Sequence, residues 1–353
     1  MPAFRTAVVR EILQIRPGLC RVRLDDGSRA YAITQLTGTV GAGDDVVVNT
    51  TAVDLGLGSG GWHVIHWNLS RGAWHEAGPG HLIKLRYTSL QVDAGAGEEE
   101  GDVPADLEGV PVVAAGVHSQ VPVVVASIVD AHPGARVAYV MTDGAALPLA
   151  LSDHVATLRS RGLLAGTVSA GHAFGGDVEA LNVASALTLA RHRLHADAIV
   201  VAMGPGGAGT GSRLGYTALE VAQVLDAAAW LGGRPIACLR CSEADPRERH
   251  RGISHHSTTA LDALRSPVEV AVPPGVEAPD DHRHRWLAID PGDPVELLER
   301  FDLEVTTMGR RPTEDRLYFA AAAAAGRLAA RHLAAAARED HPSPEPGVGR
   351  TAL

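Results

Sequence analysis

From residue 110 onward, short apolar runs alternate with segments of helical period, and this alternation restricts the possible fold more than any other feature. Each run is short and apolar throughout, as expected of a strand buried on both faces. The predicted strands are 110–115, 136–142, 164–169, 198–203, 235–240 and 268–272. The predicted helices are 120–131, 149–161, 178–192, 213–231 and 257–265. Regular alternation implies right-handed crossovers, so residues 110–338 predict a doubly wound, mostly parallel, Rossmann-like α/β domain.

Residues 1–94 follow a different pattern, with short runs rich in Val and Ile that are separated by turn signals. The predicted strands are 7–13, 20–24, 29–34, 45–51, 61–67 and 82–92. Six short strands without helical period predict a small β-barrel. Four aromatic residues are expected to fill its interior, with a binding surface as the alternative: Trp62, Trp67, Trp74 and Tyr87.

The segments outside these two domains are polar or rich in alanine. Residues 95–109 are acidic and contain glycine, which predicts a solvated linker. Thr313 is placed to cap a helix over 314–338, whose alanine-rich sequence predicts packing or dimerisation. Residues 339–353 are rich in proline and predict a disordered tail.

Composition excludes several classes of partner. The 353 residues include 41 acidic and 31 basic side chains, and the net charge of −10 disfavours binding to nucleic acid or anionic membranes. The sequence has neither a signal-peptide apolar region nor an uncharged apolar stretch of about 18 residues. Three cysteines cannot form a disulfide framework. We therefore expect a cytoplasmic protein that does not associate with membranes.

Unusual residues follow five successive predicted strands. They are His118; Asp143; Gly175, Gly176 and Asp177; the glycines from Gly204 to Gly211; and the cluster from Arg240 to His256. Because ligands of α/β sheets bind beyond the carboxyl ends of the strands, these residues predict one shared site. Backbone preferences offer an alternative for some of them, since Gly and Asp are common in turns and Asp177 could cap the next helix.

The cluster at 240–256 contains four arginines and three histidines. The predicted anion-binding residues are Arg240, Asp245, Arg247, Arg249 and Arg251, and the predicted acid or base residues are His250, His255, His256 and Asp143. Histidine and aspartate also suit a metal ion, but a guanidinium about 6 Å from a divalent cation opposes its binding by about 5 kcal/mol. An arginine contributes about 1.5–3 kcal/mol per hydrogen bond to an anion. We therefore predict an anion site and assign no metal ligand.

The glycine loop matches G-x-G-x-x-G at Gly204, Gly206 and Gly209, and Gly207 and Gly211 extend it. Such a loop either binds a phosphate through backbone N–H groups or makes a tight turn. A dinucleotide site would have an acidic residue about 20 residues later, and a P-loop would have a lysine. Neither is present, so no cofactor is identified.

Several stretches together resemble a known family. They include Y-V-M-T-D-G-A-A-L-P-L-A at 139–150, A-F-G-G-D-V-E-A at 173–180 and E-A-D-P-R-E-R-H-R-G-I-S-H-H-S at 243–257. The chain is similar from about residue 5 to about residue 273 to family three-eight-six-six of the domain-of-unknown-function series. The resemblance implies a bacterial cytosolic protein, common in actinobacteria. It implies no activity, ligand or catalytic residue.

Two functional classes fit these patterns. One is an enzyme that acts on a small anionic, phosphorylated or nucleotide-like molecule, with metal-dependent hydrolysis as a variant. The other is a non-catalytic ligand sensor or assembly protein, and homo-oligomerisation is open in both. A third interpretation makes the cluster a purely structural network with Glu243 and Glu248.

Overall fold

The computed structural model describes residues 1–340. Its first unit is a closed barrel of β1 (Phe4–Arg16), β2 (Leu19–Leu24), β3 (Arg29–Ile33), β4 (Asp45–Asn49) and β5 (Trp62–Asn68). The short helices α1 (Thr34–Thr37) and α2 (Thr51–Asp54) flank β4. The strands close in the order β1-β2-β3-β5-β4, so the predicted barrel is confirmed.

The barrel differs from the prediction in strand number and in its core. Residues 82–92 do not form a sixth barrel strand; β6 (Ile83–Lys84) and β7 (Val92–Asp93) pair with each other as a separate ribbon. The core consists of small aliphatic side chains such as Val22, Val46 and Val48. The predicted aromatic core is therefore wrong: Trp62 and Trp67 are half-buried and Tyr87 is 99% exposed. A five-stranded barrel is too narrow to enclose several indole rings.

The second unit is an eight-stranded sheet. Its strands are β8 (Pro111–Ala115), β9 (Val137–Thr142), β10 (Gly166–Ala170), β11 (Val178–Ala180), β12 (Ala198–Met203), β13 (Arg234–Cys238), β16 (Glu269–Val272) and β17 (Arg285–Ala288). Between β13 and β16, the strands β14 (Cys241–Ser242) and β15 (Gly252–Ile253) form a separate two-stranded ribbon. The sheet order is β11-β10-β9-β12-β8-β13-β16-β17, with every pair parallel. This confirms the predicted Rossmann-like α/β fold.

Helices cover both faces of the sheet. They are α3 (Val121–Ala131), α4 (Asp153–Ser160), α5 (Val183–His192), α6 (Val221–Trp230), α7 (His255–Ala263), α8 (Pro294–Arg300) and α9 (Arg316–Asp340). In β8, Val113 and Ala115 pack in the core beneath α3 and α9, whereas Val112 and Ala114 pack in the core beneath α5 and α6. Alternate strand residues thus bury opposite faces, which explains why the strand sequences are apolar throughout.

The C-terminal helix α9 packs inside the fold. Phe319 is fully buried, and a Cβ atom at Gly326 would lie 2.5 Å from the carbonyl oxygen of Val124 in α3. Only glycine allows the two helices to approach this closely. Within residues 1–340, no helix has the length and apolar character needed to span a membrane. The predicted disordered tail beyond residue 340 lies outside the described residues.

Several predicted helix starts are wrong, including that of α4, which begins at Asp153 rather than at residue 149. Residues 178–180 form edge strand β11 beside β10, so α5 begins at Val183 and its cap is Asn182 rather than Asp177. Helix α6 begins at Val221 after a 3₁₀ turn, well beyond the glycine loop. Helix α7 begins at His255, two residues before the predicted start. Tertiary strand pairing and capping, rather than apolar periodicity, set these boundaries.

The barrel packs against one end of the sheet. Leu19 and Ile33 from the barrel contact Phe174, which follows β10, in one apolar cluster. Arg16 and Arg21 form ion pairs of 2.6 Å and 2.9 Å with Asp153 at the start of α4. The loops that follow β9 and β10 are therefore covered by the N-terminal unit.

Residues 95–109, the predicted linker, are in contact with the α/β domain. Residues Gly97–Glu100 form a 3₁₀ turn, and Leu107 is fully buried in the core beneath α5 and α6. This apolar anchor orders the end of the segment against the sheet.

Strand order positions the candidate site. The chain leaves β8 through α3 toward β9, whereas it leaves the neighbouring β12 through α6 toward β13 on the opposite face of the sheet. Adjacent parallel strands whose connections depart to opposite faces leave a crevice at their carboxyl ends. That crevice lies between β8 and β12.

Candidate functional site

A cavity of about 430 Å³ lies at this crevice. Three loops contribute predicted site residues to its wall: His118 after β8; Gly206, Gly207, Gly209 and Gly211 after β12; and Arg240, Arg247, Arg249, His250 and His256 after β13. The sheet thus brings together residues that are more than a hundred positions apart in the chain.

Other predicted residues lie elsewhere and are hydrogen-bonded internally. Asp143 accepts a hydrogen bond from the backbone N–H of His172 at 2.9 Å. The N–H of Gly175 donates to Glu179, and the N–H of Gly176 donates to Ser169. These groups belong to the β9 and β10 ends and do not line the cavity.

Asp177 and Gly204 also have structural partners. Asp177 pairs with Arg159 at 2.6 Å and accepts the N–H of Thr167 at 2.9 Å. A Cβ atom at Gly204 would lie 2.4 Å from the carbonyl oxygen of Ala146, so this glycine permits a close approach of two loops. Neither residue lines the cavity at the β8–β12 crevice.

Asp245 is the centre of an arginine network. Its fully buried carboxylate lies 3.2 Å from Arg240, 2.9 Å from Arg247 and 3.7 Å from Arg310. Burial alone would raise the pKa of Asp245, but the hydrogen bonds from Arg247 and the charge of Arg240 hold it well below its usual range. The carboxylate therefore stays ionised and orients two guanidiniums at the cavity wall.

The other two arginines of the cluster differ from each other. Arg251 donates to the backbone oxygen of Asp245 at 3.1 Å and does not line the cavity. Arg249 is exposed, takes no part in the Asp245 ion pairs, and lies beside the glycine loop. A Cβ atom at Gly211 would be 3.6 Å from one of its guanidinium nitrogens. Arg249 is thus a positive charge at the cavity that the buried carboxylate does not neutralise.

His118 has a structural role in the cavity wall. Since a carbonyl oxygen can only accept, Nδ1–H of His118 donates to Met203 O at 3.0 Å, and Nε2 accepts from the hydroxyl of Ser152 at 2.7 Å. Burial and the neighbouring His154 lower its pKa to about 4. The neutral ring ties the end of β8 to the end of β12.

The three histidines of the cluster lie together. The ring centroids of His250 and His256 are 4.8 Å apart, and those of His255 and His256 are 4.4 Å apart. Burial, followed by the charge of Arg240, lowers the pKa of His250 to about 4. Burial and the neighbouring His255 lower the pKa of His256 to about 3. These imidazoles are therefore neutral at pH 7.

Local structure brings these rings together. Strands β14 and β15 form a short antiparallel ribbon, with Cys241 opposite Ile253, that returns the chain to the end of β13. Ser254 then caps α7 by accepting the N–H of His256, and His250 lies in a 3₁₀ turn within the returning loop. The ribbon and the cap place a turn histidine beside two histidines of the first helical turn.

The glycine loop is a small hairpin rather than the start of a helix. Gly209 forms a bridge with Tyr216, and the N–H of Thr210 donates to Gly215 O at 2.8 Å. Gly206 has φ of +95° and Gly211 has φ of +84°, which only glycine adopts without strain. The loop therefore folds over the cavity without adding a helix N-terminus.

Sequence reasoning missed several residues of this region. Ser254 lies 2.7 Å from His250 Nδ1, Tyr216 stacks on His256, and Arg310 reaches Asp245 from a distant loop. A serine directly before a helix signals a cap, so Ser254 could have been found. Nothing local in the sequence marks Tyr216 or Arg310 as neighbours of the cluster.

The fold and the cavity define a Rossmann-like α/β protein with an N-terminal β-barrel. Residues 29–326 match the model of a family described as Protein of unknown function (DUF3866), and the chain belongs to that family. The resemblance indicated by the sequence motifs is thereby confirmed. No curated protein and no solved structure matches the chain.

Proposed function

We propose that the protein binds a small anionic molecule, carrying a phosphate or carboxylate group, in the cavity between β8, β12 and β13. The observation that carries this proposal is the position of Arg249, a guanidinium outside the Asp245 network that lies beside the glycine loop. Arg240 and Arg247 add positive charge to the same wall. Their geometry is set before binding by the buried carboxylate, which reduces the entropic cost of ordering them.

The cavity size indicates the size of the ligand. A volume of about 430 Å³ lies within the range of small-molecule sites, which hold ligands such as sugar phosphates or nucleotides. We infer that a phosphorylated or nucleotide-like compound fills the cavity, with its anionic group toward Arg249.

Binding is tested by a thermal-shift screen with inorganic phosphate, sugar phosphates and nucleotides, followed by calorimetry on the compounds that stabilise the protein. R249A should weaken binding about 10–100-fold, since each charge-assisted hydrogen bond contributes about 1.5–3 kcal/mol. Its melting temperature without ligand should not change, because Arg249 is exposed. R10A, at an exposed arginine of the barrel, is the matched control. Equal ligand affinity in R249A and wild type would refute the proposal.

Catalysis goes beyond ligand binding and needs a separate measurement. If the protein is an enzyme, a bound compound should be converted to product, and H256A should abolish conversion while the fold is intact, because His256 lines the cavity. His255, the neighbouring predicted residue, does not line it. Binding without conversion would favour the alternative, a ligand sensor or assembly protein. Product analysis by mass spectrometry on each compound that binds distinguishes these outcomes.

A further inference from the structure

Three histidine side chains meet beside the cavity in an arrangement that suits a metal ion. One ring nitrogen from each of His250, His255 and His256 lies within 4.8 Å of the other two. In a tetrahedral zinc site with Zn–N bonds of about 2.1 Å, ligand nitrogens are about 3.4 Å apart. Small side-chain rotations would therefore bring the three nitrogens to coordination distance.

Two of these rings have buried nitrogens without a partner. Nε2 of His250 and Nε2 of His255 are inaccessible to solvent and form no hydrogen bond within residues 1–340. Buried ring nitrogens are normally paired, so an orphan in each of two adjacent rings requires an explanation. A shared metal ion would use both lone pairs.

Neighbouring groups fix the orientation of two rings. Ser254 Oγ lies 2.7 Å from Nδ1 of His250, which leaves Nε2 as the free nitrogen of that ring. Tyr216 stacks on His256 with the ring centroids 3.9 Å apart, and its hydroxyl donates to His256 O at 2.8 Å. Metal-binding histidines in proteins commonly have their other ring nitrogen in a hydrogen bond, as His250 has with Ser254.

We propose that His250, His255 and His256 bind one divalent transition-metal ion, with Zn²⁺ the expected ion. Three imidazoles favour zinc and its first-row neighbours over Mg²⁺ or Ca²⁺, which prefer oxygen ligands. Three protein ligands leave a fourth position open. Because His250 and His256 line the cavity, the ion would lie beside the space proposed for the anion.

The arginines make this site unusual. Arg240 and Arg247 line the same cavity as His250 and oppose a cation there, although Asp245 offsets part of their charge. An anion in the cavity should therefore strengthen metal binding. That coupling rests on the proposed function, so metal binding itself is tested without any phosphate.

The experiment uses the full chain without a histidine tag, stripped with a chelator and titrated with Co²⁺ in phosphate-free buffer. We expect one Co²⁺ per chain, with the intense visible bands of four- or five-coordinate cobalt, and displacement by Zn²⁺. H255Q and H256Q should each weaken Co²⁺ binding by about 100-fold. H154Q alters a histidine of the same cavity that lies outside the cluster, and it should bind Co²⁺ as wild type does.

Two results would overturn the metal site. One is a folded wild-type protein that shows no stoichiometric Co²⁺ or Zn²⁺ binding, and this measurement decides even if the variants unfold. The other is unchanged Co²⁺ affinity in H255Q and H256Q when circular dichroism shows both to be folded. Neither result depends on Arg249, so the metal site and the anion site can fail independently.

Discussion

Two sets of loops at the same sheet edge contain similar residues but differ in how their polar side chains are paired. In the β9–β10 loops (residues 143–148 and 171–177), Asp143, Gly175, Gly176 and Asp177 are all engaged by internal partners. In the β12–β13 loops (residues 204–216 and 239–254), Arg249 lies at the cavity wall and takes no part in the Asp245 ion pairs. Residue type alone therefore does not distinguish a binding loop from a structural one.

The two sets of loops also differ in their contacts with the N-terminal unit. Phe174 packs against the barrel, and Lys84 from the β6–β7 ribbon donates to Ser169 O, Ala173 O and Glu179 at the ends of β10 and β11. The β12–β13 loops have no such covering from the barrel or the ribbon within residues 1–340. The barrel and the ribbon therefore contact the β9–β10 loops, whereas the crevice between β8 and β12 lies outside these contacts.

The largest effect on stability is expected from the removal of Lys84, whose side chain is 1% exposed and lies 2.7 Å from Glu179. Burial lowers the pKa of Lys84 and raises that of Glu179, while each charge acts in the opposite direction on its partner. K84A leaves the buried carboxyl of Glu179 without its cation and should lower the free energy of unfolding by about 3–5 kcal/mol, measured by urea denaturation.

A double variant serves as the control for K84A. K84M/E179Q removes both charges and should destabilise the protein less than K84A alone. A loss below about 1 kcal/mol in K84A would contradict the structural role assigned to the β9–β10 loops.

The second test concerns Asp245, which anchors arginines beneath the open loops. D245N should lower the free energy of unfolding by about 2–4 kcal/mol at pH 7, because Arg240 and Arg247 lose their charged partner. Arg310 keeps its ion pair with Asp315. The folded pKa of Asp245 is lowered, so its contribution is present above the unfolded pKa and is lost as the pH falls below about 4. The difference between wild type and D245N should therefore shrink in acid.

Asp262 provides a surface comparison for Asp245. It pairs with Arg213 at 3.0 Å, and both side chains are mostly exposed. D262N should change the free energy of unfolding by about 0.5 kcal/mol or less. An equally small change in the free energy of unfolding of D245N would show that the arginine network does not stabilise the fold.

Of the three groups Lys84, Asp245 and Glu220, the last has the smallest expected effect, and it lies between the two sets of loops. It accepts a hydrogen bond from Thr142 at 2.5 Å, and burial and the charge of Asp143 raise its pKa to about 7. Because the pKa of Glu220 is higher in the folded state than in the unfolded state, its contribution to stability is fully present below the unfolded pKa. This contribution is lost as the pH rises to about 7. Wild type should lose about 1–3 kcal/mol between pH 4.5 and 7.5 that E220Q does not lose.

Thermal or urea unfolding of both proteins across this pH range checks the Glu220 prediction. Parallel pH profiles for E220Q and wild type would show that Glu220 titrates normally. In that case the boundary between the two sets of loops would be more hydrated than the structure indicates.

Much of the fold could be predicted from the sequence. The six apolar runs after residue 110 are all strands, because a strand buried on both faces must be apolar throughout. Edge strands β11 and β17 were not predicted, since an edge strand has less buried surface and a weaker pattern. The barrel strands were predicted, whereas the β6–β7 ribbon was mistaken for one of them.

The site was predictable only in part. The cluster from Arg240 to His256 was recognisable because its charge contrasts with an acidic chain. Lys84 is the only lysine in the sequence, a signal that marks an unusual position but not its role. Its contact with Glu179 joins residues 95 positions apart, and no local pattern encodes such a pair.

The sequence by itself determined the two architectures and the set of polar strand ends, because side-chain periodicity reflects which faces are buried. Tertiary structure alone decided that β12 lies between β8 and β9, which places the crevice. It also decided which loops the barrel and the ribbon cover. Crossovers of similar length and composition can lead to different strand orders, so these choices depend on packing between distant segments.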